Sequence, residues 1–298
     1  GRIIARLSGS LKQAARWCAL LRWFDAESLS AILGAPLSLD DFQALARYSF
    51  INRPRLAPHA WACHDLVRRV QAAYLQNAVP EEFQAFHTRA AQYYAGRSQP
   101  LDALYHRFFG DTQAAFEQWQ ELEGQAAFAF DHPAWAALVE MAQAEELPLT
   151  PGMRAEVAFR AGRRHYYHDE YDAALASYQQ ALDLFRQVGD RLGEANVLAA
   201  QARLLLRAGD LANAEAQMQQ IALLRRAMGD PFDEGADCGN FAIALLQTNH
   251  LEKALEYALR ARAIFDRLNI AHLVEQTDKL VQYIQAQQNP PEEPPGGE

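Results

Sequence analysis

The chain lacks most of the features that mark an enzyme or a membrane protein. It contains no Gly-x-x-x-x-Gly-Lys-Ser/Thr phosphate loop and no Gly-x-Ser-x-Gly elbow, so we expect neither tight ATP binding nor serine-hydrolase chemistry. No segment approaches the ~18 uninterrupted apolar residues of a membrane span. The three cysteines, Cys18, Cys63 and Cys238, are far apart, which predicts reduced core thiols in a cytoplasmic protein. We therefore expect a non-enzymatic protein with no membrane partner.

Charge is distributed unevenly along the sequence. Residues 1–75 contain ten Lys or Arg and five Asp or Glu, a net charge of +5, so the remainder carries −14 of the total of −9. An acidic body argues against broad nucleic-acid binding there, whereas the basic head could face a phosphate, a nucleotide or an acidic protein surface. Ordinary variation of surface charge explains the positive charge of residues 1–75 equally well.

A 40-residue repeat dominates the second half of the chain. Small residues recur at one position of the repeat, and larger apolar residues stand three places before them: Ala174, Ala214 and Ala254, with Tyr171, Leu211 and Leu251. A fixed period of this kind predicts stacked helical hairpins. Gly-Asp pairs at 189–190 and 229–230 suit a helix stop followed by the cap of the next helix. Residues 154–288 resemble tetratricopeptide (TPR) repeats, although the usual period is about 34 residues.

The first 76 residues show a different pattern. Apolar residues at helical spacing predict one helix over 11–23, a second that starts at Phe24-Asp25 and runs to Leu33, and a third over 37–48. Two short strands flanking a turn at Pro54, over 50–53 and 56–62, then precede a fourth helix that opens at His64. Three helices, a two-stranded wing and a closing helix together predict a winged-helix domain.

The sequence thus predicts an all-α, TPR-like solenoid of ~40-residue repeats that follows a small winged-helix domain. We place the winged-helix domain at residues 1–76, a helical linker or degenerate TPR-like repeat at 80–150, three TPR repeats at 151–288 and a Pro- and Gly-rich disordered tail at 289–298. Because Gly1 stands where an initiator Met is expected, we expect a piece of a longer chain.

The winged-helix segment resembles the corresponding subdomain of STAND-class signalling NTPases, which include NB-ARC proteins and MalT-like activators. The residues that carry the resemblance are Phe24-Asp25-Ala26-Glu27, Leu29, Ile32-Leu33, Leu45, Ser49-Phe50-Ile51 and Cys63-His64-Asp65-Leu66-Val67-Arg68. In that family a Met-His-Asp motif opens the final helix, and its His contacts the β-phosphate of ADP. Cys63 replaces the Met here, whereas His64 and Asp65 match the motif.

The resemblance implies a nucleotide-sensing role for His64 and Asp65. It also implies an upstream nucleotide-binding domain in the same chain, with ADP or ATP bound only there, oligomerisation on activation, and cytoplasmic signalling in a bacterium. A His at a helix start can donate to a phosphate oxygen beside the positive helix end. The alternative is that both residues only cap the helix.

In TPR register, the first helix of each repeat lines a groove. The positions predicted to bind a protein or peptide ligand are Phe159, Arg163, Tyr166, Tyr167, Arg203, Leu206, Arg207 and Ile243. Aromatic anchors beside three arginines suit a ligand with apolar and carboxylate or phosphate groups. Packing of the tyrosines in the solenoid, with solvated arginines, is the alternative.

Three weaker hypotheses remain. His165 and His168, with acidic neighbours at 169, 170 and 172, have metal-ligand spacing, but we favour a structural role for them. The winged helix could bind DNA, although the expected recognition helix offers only Arg47 and begins with Asp40 and Asp41, which makes DNA an unfavourable partner. The whole chain could also be a TPR scaffold without a switch.

Overall fold

A computed structural model describes residues 9–53 and 59–289, which divide into two compact units at Leu149 and Thr150. The described residues form fifteen α-helices and two two-residue strands. The architecture is all-α, as the sequence predicts, and the second unit is a TPR-like solenoid. The predicted Pro54 turn and all but the first residue of the predicted tail fall outside the described residues.

The first unit begins with short helices around a small antiparallel ladder. Its elements are α1 (Gly9–Trp17), a 3-10 turn (Cys18–Leu20), α2 (Ala26–Leu33), α3 (Leu39–Ala46), β1 (Ile51–Asn52), β2 (Ala62–Cys63) and α4 (Asp65–Ala78). In the ladder Ile51 pairs with Cys63, and Asn52 with Ala62. The element order is the one that the sequence predicts, while its assignment as a winged helix stays a prediction.

The helix predicted over 11–23 is shorter than expected. It ends at Trp17, because the chain turns through the 3-10 segment and Phe24 then forms an antiparallel bridge with Trp61. The backbone of these two residues exchanges hydrogen bonds of 2.7 and 2.8 Å. Apolar periodicity alone could not separate this buried extended segment from a helix, because both place apolar residues inward.

Four more helices complete the first unit: α5 (Pro80–Gly96), α6 (Pro100–Arg107), α7 (Thr112–Phe128) and α8 (His132–Ala142). The core between α5 and α6 contains two buried histidines, His87 and His106, each 1% exposed. Their Nδ1 atoms lie 2.8 Å apart, and no described residue hydrogen-bonds to Nε2 of His87. One ring must therefore donate to the other, which requires at least one neutral imidazole.

The second unit contains seven helices of nearly equal length, each of 17 or 18 residues. They are α9 (Pro151–Tyr167), α10 (Tyr171–Val188), α11 (Arg191–Arg207), α12 (Leu211–Met228), α13 (Pro231–Gln247), α14 (Leu251–Arg267) and α15 (Ala271–Gln288). Only two or three residues connect successive helices. This repeat is longer than a typical TPR, and the extra residues therefore lie in the helices and not in the turns.

Every turn of the solenoid contains one residue with a left-handed backbone. These residues recur at an interval of 20: Asp169, Gly189, Gly209, Gly229, Asn249 and Asn269, with φ between 57° and 78°. Gly and Asn adopt this conformation most readily, and it ends a helix by turning the chain away from the axis. The 40-residue sequence period thus comprises two geometrically similar halves.

Small residues allow the helices of each hairpin to pack closely. The repeat alanines Ala174, Ala214 and Ala254 are fully buried. Gly162 faces the ring of Tyr178, where an added Cβ would lie 2.6 Å from Cε1. A side chain at this position would displace the ring, so the small-residue positions of the repeat are required by packing.

Candidate functional site

The ends of α9, α11 and α13 surround a cavity of about 350 Å³. Its lining consists of Tyr166, Tyr171, Arg203, Arg207, Ala244, Gln247 and Thr248. Two guanidinium groups and two phenol rings converge there, which gives the cavity positive charge and flat apolar surfaces. Such a combination suits a carboxylate or phosphate beside an apolar side chain.

Two phenol hydroxyls hold Arg207 in place. Its Nε donates to the Tyr166 hydroxyl at 3.2 Å, and its Nη1 donates to the Tyr171 hydroxyl at 2.9 Å. The guanidinium carbon also lies 5.6 Å and 5.8 Å from the two ring centroids. These contacts reduce the rotamer freedom that Arg207 would lose on binding an anion. Asp169 is 4.0 Å from the same guanidinium and partly offsets its charge.

Arg203 and Arg163 are less constrained. In the described part of the chain neither of them makes a hydrogen bond or an ion pair, and both are half-buried. Both lie close enough to Tyr178 for their charges to act on its hydroxyl: burial raises the pKa of Tyr178, and the two guanidinium groups oppose that shift. The hydroxyl makes no hydrogen bond to described residues either. Arg203 lines the cavity and Arg163 does not. The charge of Arg203 also opposes the rise that burial causes in the pKa of Asp237.

The structure brings some of the predicted groove residues together and separates others. Phe159 packs against Tyr178 with its ring centroid 5.9 Å away, and Tyr167 is 58% exposed beside Tyr166. Ile243 is 43% exposed on α13 but does not line the cavity.

Leu206 requires a correction. It is only 2% exposed and belongs to the hydrophobic core of the solenoid, so it does not offer a groove surface. The physical reason is that Leu206 is one residue, or about 100° of helix rotation, from Arg207, and so falls on the face that packs inward.

Sequence reasoning missed Tyr171, Ala244 and Thr248 as lining residues. Tyr171 occupies the repeat position that holds Leu211 and Leu251, and its hydroxyl is the polar feature that distinguishes it. A Tyr at an apolar repeat position indicates a site that is partly accessible to solvent, because a buried phenol oxygen needs a hydrogen-bond partner.

His64 lies at the start of α4 and is exposed. Its Nδ1 accepts a hydrogen bond of 3.4 Å from the backbone N–H of Leu66, while its own backbone N–H donates to Phe50. Asp65, in the first turn, is exposed and lies 3.9 Å from Arg68. His64 therefore caps the helix, and a nucleotide-sensing role for the two residues stays a prediction.

Two adjacent arginines connect α4 to the segment that follows α8. Arg68 pairs with Glu146, and Arg69 pairs with Glu145. Arg68 and Glu146 are 14% and 11% exposed and share the hydroxyl of the buried Tyr105, at 3.2 Å and 3.0 Å. We call these two ion pairs the α4 latch. It attaches the helix that opens at His64 to residues close to the end of the first unit.

His165 forms a contact within the turn that follows α9. Nδ1 of His165 contacts the Glu170 carboxylate across the turn between α9 and α10. That hydrogen bond is the main cause that lowers the pKa of Glu170. No group of three or more His, Cys, Asp or Glu side chains that could hold a metal ion occurs in residues 9–53 and 59–289.

Comparison with known proteins supports the assignment of the second unit. Residues 155–231 match the tetratricopeptide repeat family. The solenoid is TPR-like. Repeats of this family are typically non-catalytic and bind other proteins. A search of curated proteins found no matching relative. No helix among the described residues is long and apolar enough to cross a membrane.

Two solved structures overlay on parts of this chain. BtubC from P. vanneervenii is 14% identical and overlays on 71% of this chain and 96% of its own, with a TM-score of 0.46. A Signal Transduction ATPase with Numerous Domains protein with a tetratricopeptide repeat sensor, from Pyrococcus horikoshii, is 14% identical and overlays on 94% of this chain, with a TM-score of 0.34. This chain covers 54% of the latter protein. Both overlays are loose.

Proposed function

We propose that the solenoid binds an acidic segment of a partner protein through the cavity at the ends of α9, α11 and α13. The observation that carries the proposal is the pair of arginines that line the cavity: Arg203 makes no hydrogen bond or ion pair with the described residues, while the hydroxyls of Tyr166 and Tyr171 hold Arg207 in place. These cations lie in a part of the chain whose net charge is −14, so their accumulation is local. Carboxylates on a ligand would form charge-assisted hydrogen bonds with them.

A displayed library of random peptides tests this proposal. We expect the wild-type protein to enrich peptides in which Asp or Glu alternates with aromatic or aliphatic residues. Arg203→Ala should weaken the binding of a selected peptide by roughly 10–100-fold, since a hydrogen bond to a charged group contributes about 1.5–3 kcal/mol. Arg191→Ala is the matched control, because it removes the same charge from an exposed position on α11. Equal affinity of the Arg203 variant and wild type would contradict the proposal.

We further propose that the first unit couples ligand binding to an upstream nucleotide-binding domain. Support comes from the Cys63-His64-Asp65 motif at the exposed start of α4 and from the α4 latch, which attaches this helix to residues 145 and 146. Ligand binding would shift the switch only through different affinity for its two states. ADP or ATP would bind in the upstream domain, where a phosphate loop is required.

Coupling can be tested in a longer chain that contains a nucleotide-binding domain before residue 1. His64→Ala should shorten the retention time of ADP and raise basal activity, because the imidazole would no longer contact the β-phosphate. Retention of ADP equal to that of wild type would remove the role assigned to His64. Loss of Arg203, by contrast, should leave ADP retention without ligand unchanged, so the two proposals can fail separately.

A further inference from the structure

Cys18 and Cys63 form a contact pair inside the first unit. Their Sγ atoms are 3.5 Å apart although the residues are 45 positions apart in sequence. Cys18 lies in the 3-10 turn after α1 and is fully buried, while Cys63 is the last residue of β2 and is 3% exposed. The third thiol, Cys238, is buried alone in the middle of α13. A disulfide between the first two requires the sulfur atoms to come about 1.5 Å closer.

The pair is buried, but the element that carries Cys63 has few backbone bonds. The β1–β2 ladder contains two residue pairs and is extended by the single bridge between Phe24 and Trp61. Local opening of so short a ladder exposes the strand without unfolding the helices around it. Cys238 has no such route, since its exposure requires a 17-residue helix to separate from the core.

We propose that Cys18 and Cys63 are an oxidisable dithiol that a hydroperoxide converts into an intramolecular disulfide. The Cys63 thiol loses its proton to water, and the thiolate attacks one peroxide oxygen. The O–O bond breaks, and the departing hydroxide or alkoxide takes up one proton and leaves as water or an alcohol. Cys63 is then a sulfenic acid. The sulfur of Cys18 attacks the Cys63 sulfur, the S–O bond breaks, and the hydroxyl leaves with the Cys18 proton as water.

The two thiols have different roles in this reaction. A hydrogen bond with Cys63, followed by burial, raises the pKa of Cys18 well above that of an ordinary thiol. The raised pKa disfavours the Cys18 thiolate, and Cys63 lies at the end of the short ladder that can open, so we assign the first attack to Cys63.

The bond would join the turn after α1 to the residue directly before His64. It would restrict the unfolded chain by closing a long loop and would restrict the backbone at the start of α4. This inference rests on the contact of the two sulfur atoms and is independent of the proposed function.

Hydrogen peroxide treatment of the native protein, followed by alkylation, trypsin digestion and mass spectrometry, is the test. We expect the peptide 17–22, which contains Cys18, to be linked to the peptide 56–68, which contains Cys63. The link should form at least tenfold faster than any modification of Cys238 and should be reversed by dithiothreitol. The oxidised protein should also show a thermal transition several degrees higher, because the crosslink limits the unfolded state.

Two variants complete the test. Cys238→Ser should form the same crosslink at the same rate, whereas Cys18→Ser should form none and should allow Cys63 to be trapped as a sulfenic acid by dimedone. The proposal is overturned if both thiols stay alkylatable after oxidation of the folded protein, or if only bridges between chains or to Cys238 form.

Discussion

Acidification should destabilise the first unit through its buried histidine pair. Burial lowers the pKa of His106 to about 3, assisted by the charges of Arg22 and Arg68. Burial and the neighbouring imidazole likewise hold the pKa of His87 well below its usual value. The two rings therefore stay neutral in the folded protein, whereas in the unfolded chain they bind protons below a pH of about 6.5.

The sign and size of the effect follow from this difference. The unfolded state binds more protons than the folded state below pH ~6.5, so stability is full above that pH and falls as the pH drops towards the folded-state values. Each pKa unit corresponds to about 1.4 kcal/mol. At pH 5.5 the free energy of unfolding should therefore be lower by about 1.4 kcal/mol for each ring, or roughly 3 kcal/mol for the pair, than at a pH well above 6.5. The typical stability of a protein is about 5–15 kcal/mol.

The assay can isolate the first unit without cutting the chain. All five tryptophans lie between residues 17 and 135, so their fluorescence reports only the unit that contains the histidine pair. Urea unfolding followed by tryptophan fluorescence, at pH 7.5 and at pH 5.5, gives the free energy of unfolding at each pH. For wild type we expect a loss of about 3 kcal/mol between the two.

A double variant separates this pair from the other titrating groups. In His87→Leu/His106→Leu both rings become apolar groups of similar size, and most of the pH-dependent loss should disappear whatever the absolute stability. His59→Leu, at an exposed position, should keep the wild-type loss. If the double variant and wild type lose the same stability between the two pH values, the histidine pair is not the source and the reasoning is refuted.

Further predictions concern packing and the α4 latch. Gly193→Ala should destabilise the solenoid by about 1–3 kcal/mol, because the new Cβ would lie 2.6 Å from Cγ of Phe185. Gly239→Ala, whose Cβ would meet its nearest neighbour at 3.8 Å, should instead stabilise it by about 0.5–1 kcal/mol, and circular dichroism during urea unfolding measures both. Glu146→Gln should lower the free energy of unfolding of the first unit by about 2 kcal/mol, as measured by tryptophan fluorescence. The same change at the exposed Glu145 should lower it by less than about 1 kcal/mol. Equal losses in the two variants would show that burial does not strengthen the α4 latch.

The sequence predicted the solenoid more completely than its binding surface. Periodicity located the helices, and the Gly-Asp pairs located two of the turns, because left-handed stops and Asp caps are local requirements of the backbone. It could not show that Leu206 packs inward or that Tyr171 joins the cavity. Those facts depend on how neighbouring repeats rotate against one another, which single-sequence spacing does not specify.

The same limit explains the results in the first unit. Phe24 was predicted to begin a helix, yet it bridges to Trp61, a residue 37 positions away along the chain. The contacts of Cys18 with Cys63 and of His87 with His106 also join separate elements. Long-range pairs of this kind leave no periodic signal, so only the folded structure reveals them.

The uniform spacing of the turns makes the solenoid modular in whole hairpins. Each connection between helices reverses the chain at one residue with a left-handed backbone, and these residues recur every 20 positions. The described solenoid therefore contains the same kind of turn six times. Deleting residues 211–250 would bring Asp210 directly before Leu251 and recreate the Asp-Leu junction that already opens α12. Because each repeat contacts mainly its neighbours, gene duplication or loss of a 40-residue unit would change the length of the solenoid without requiring a new core.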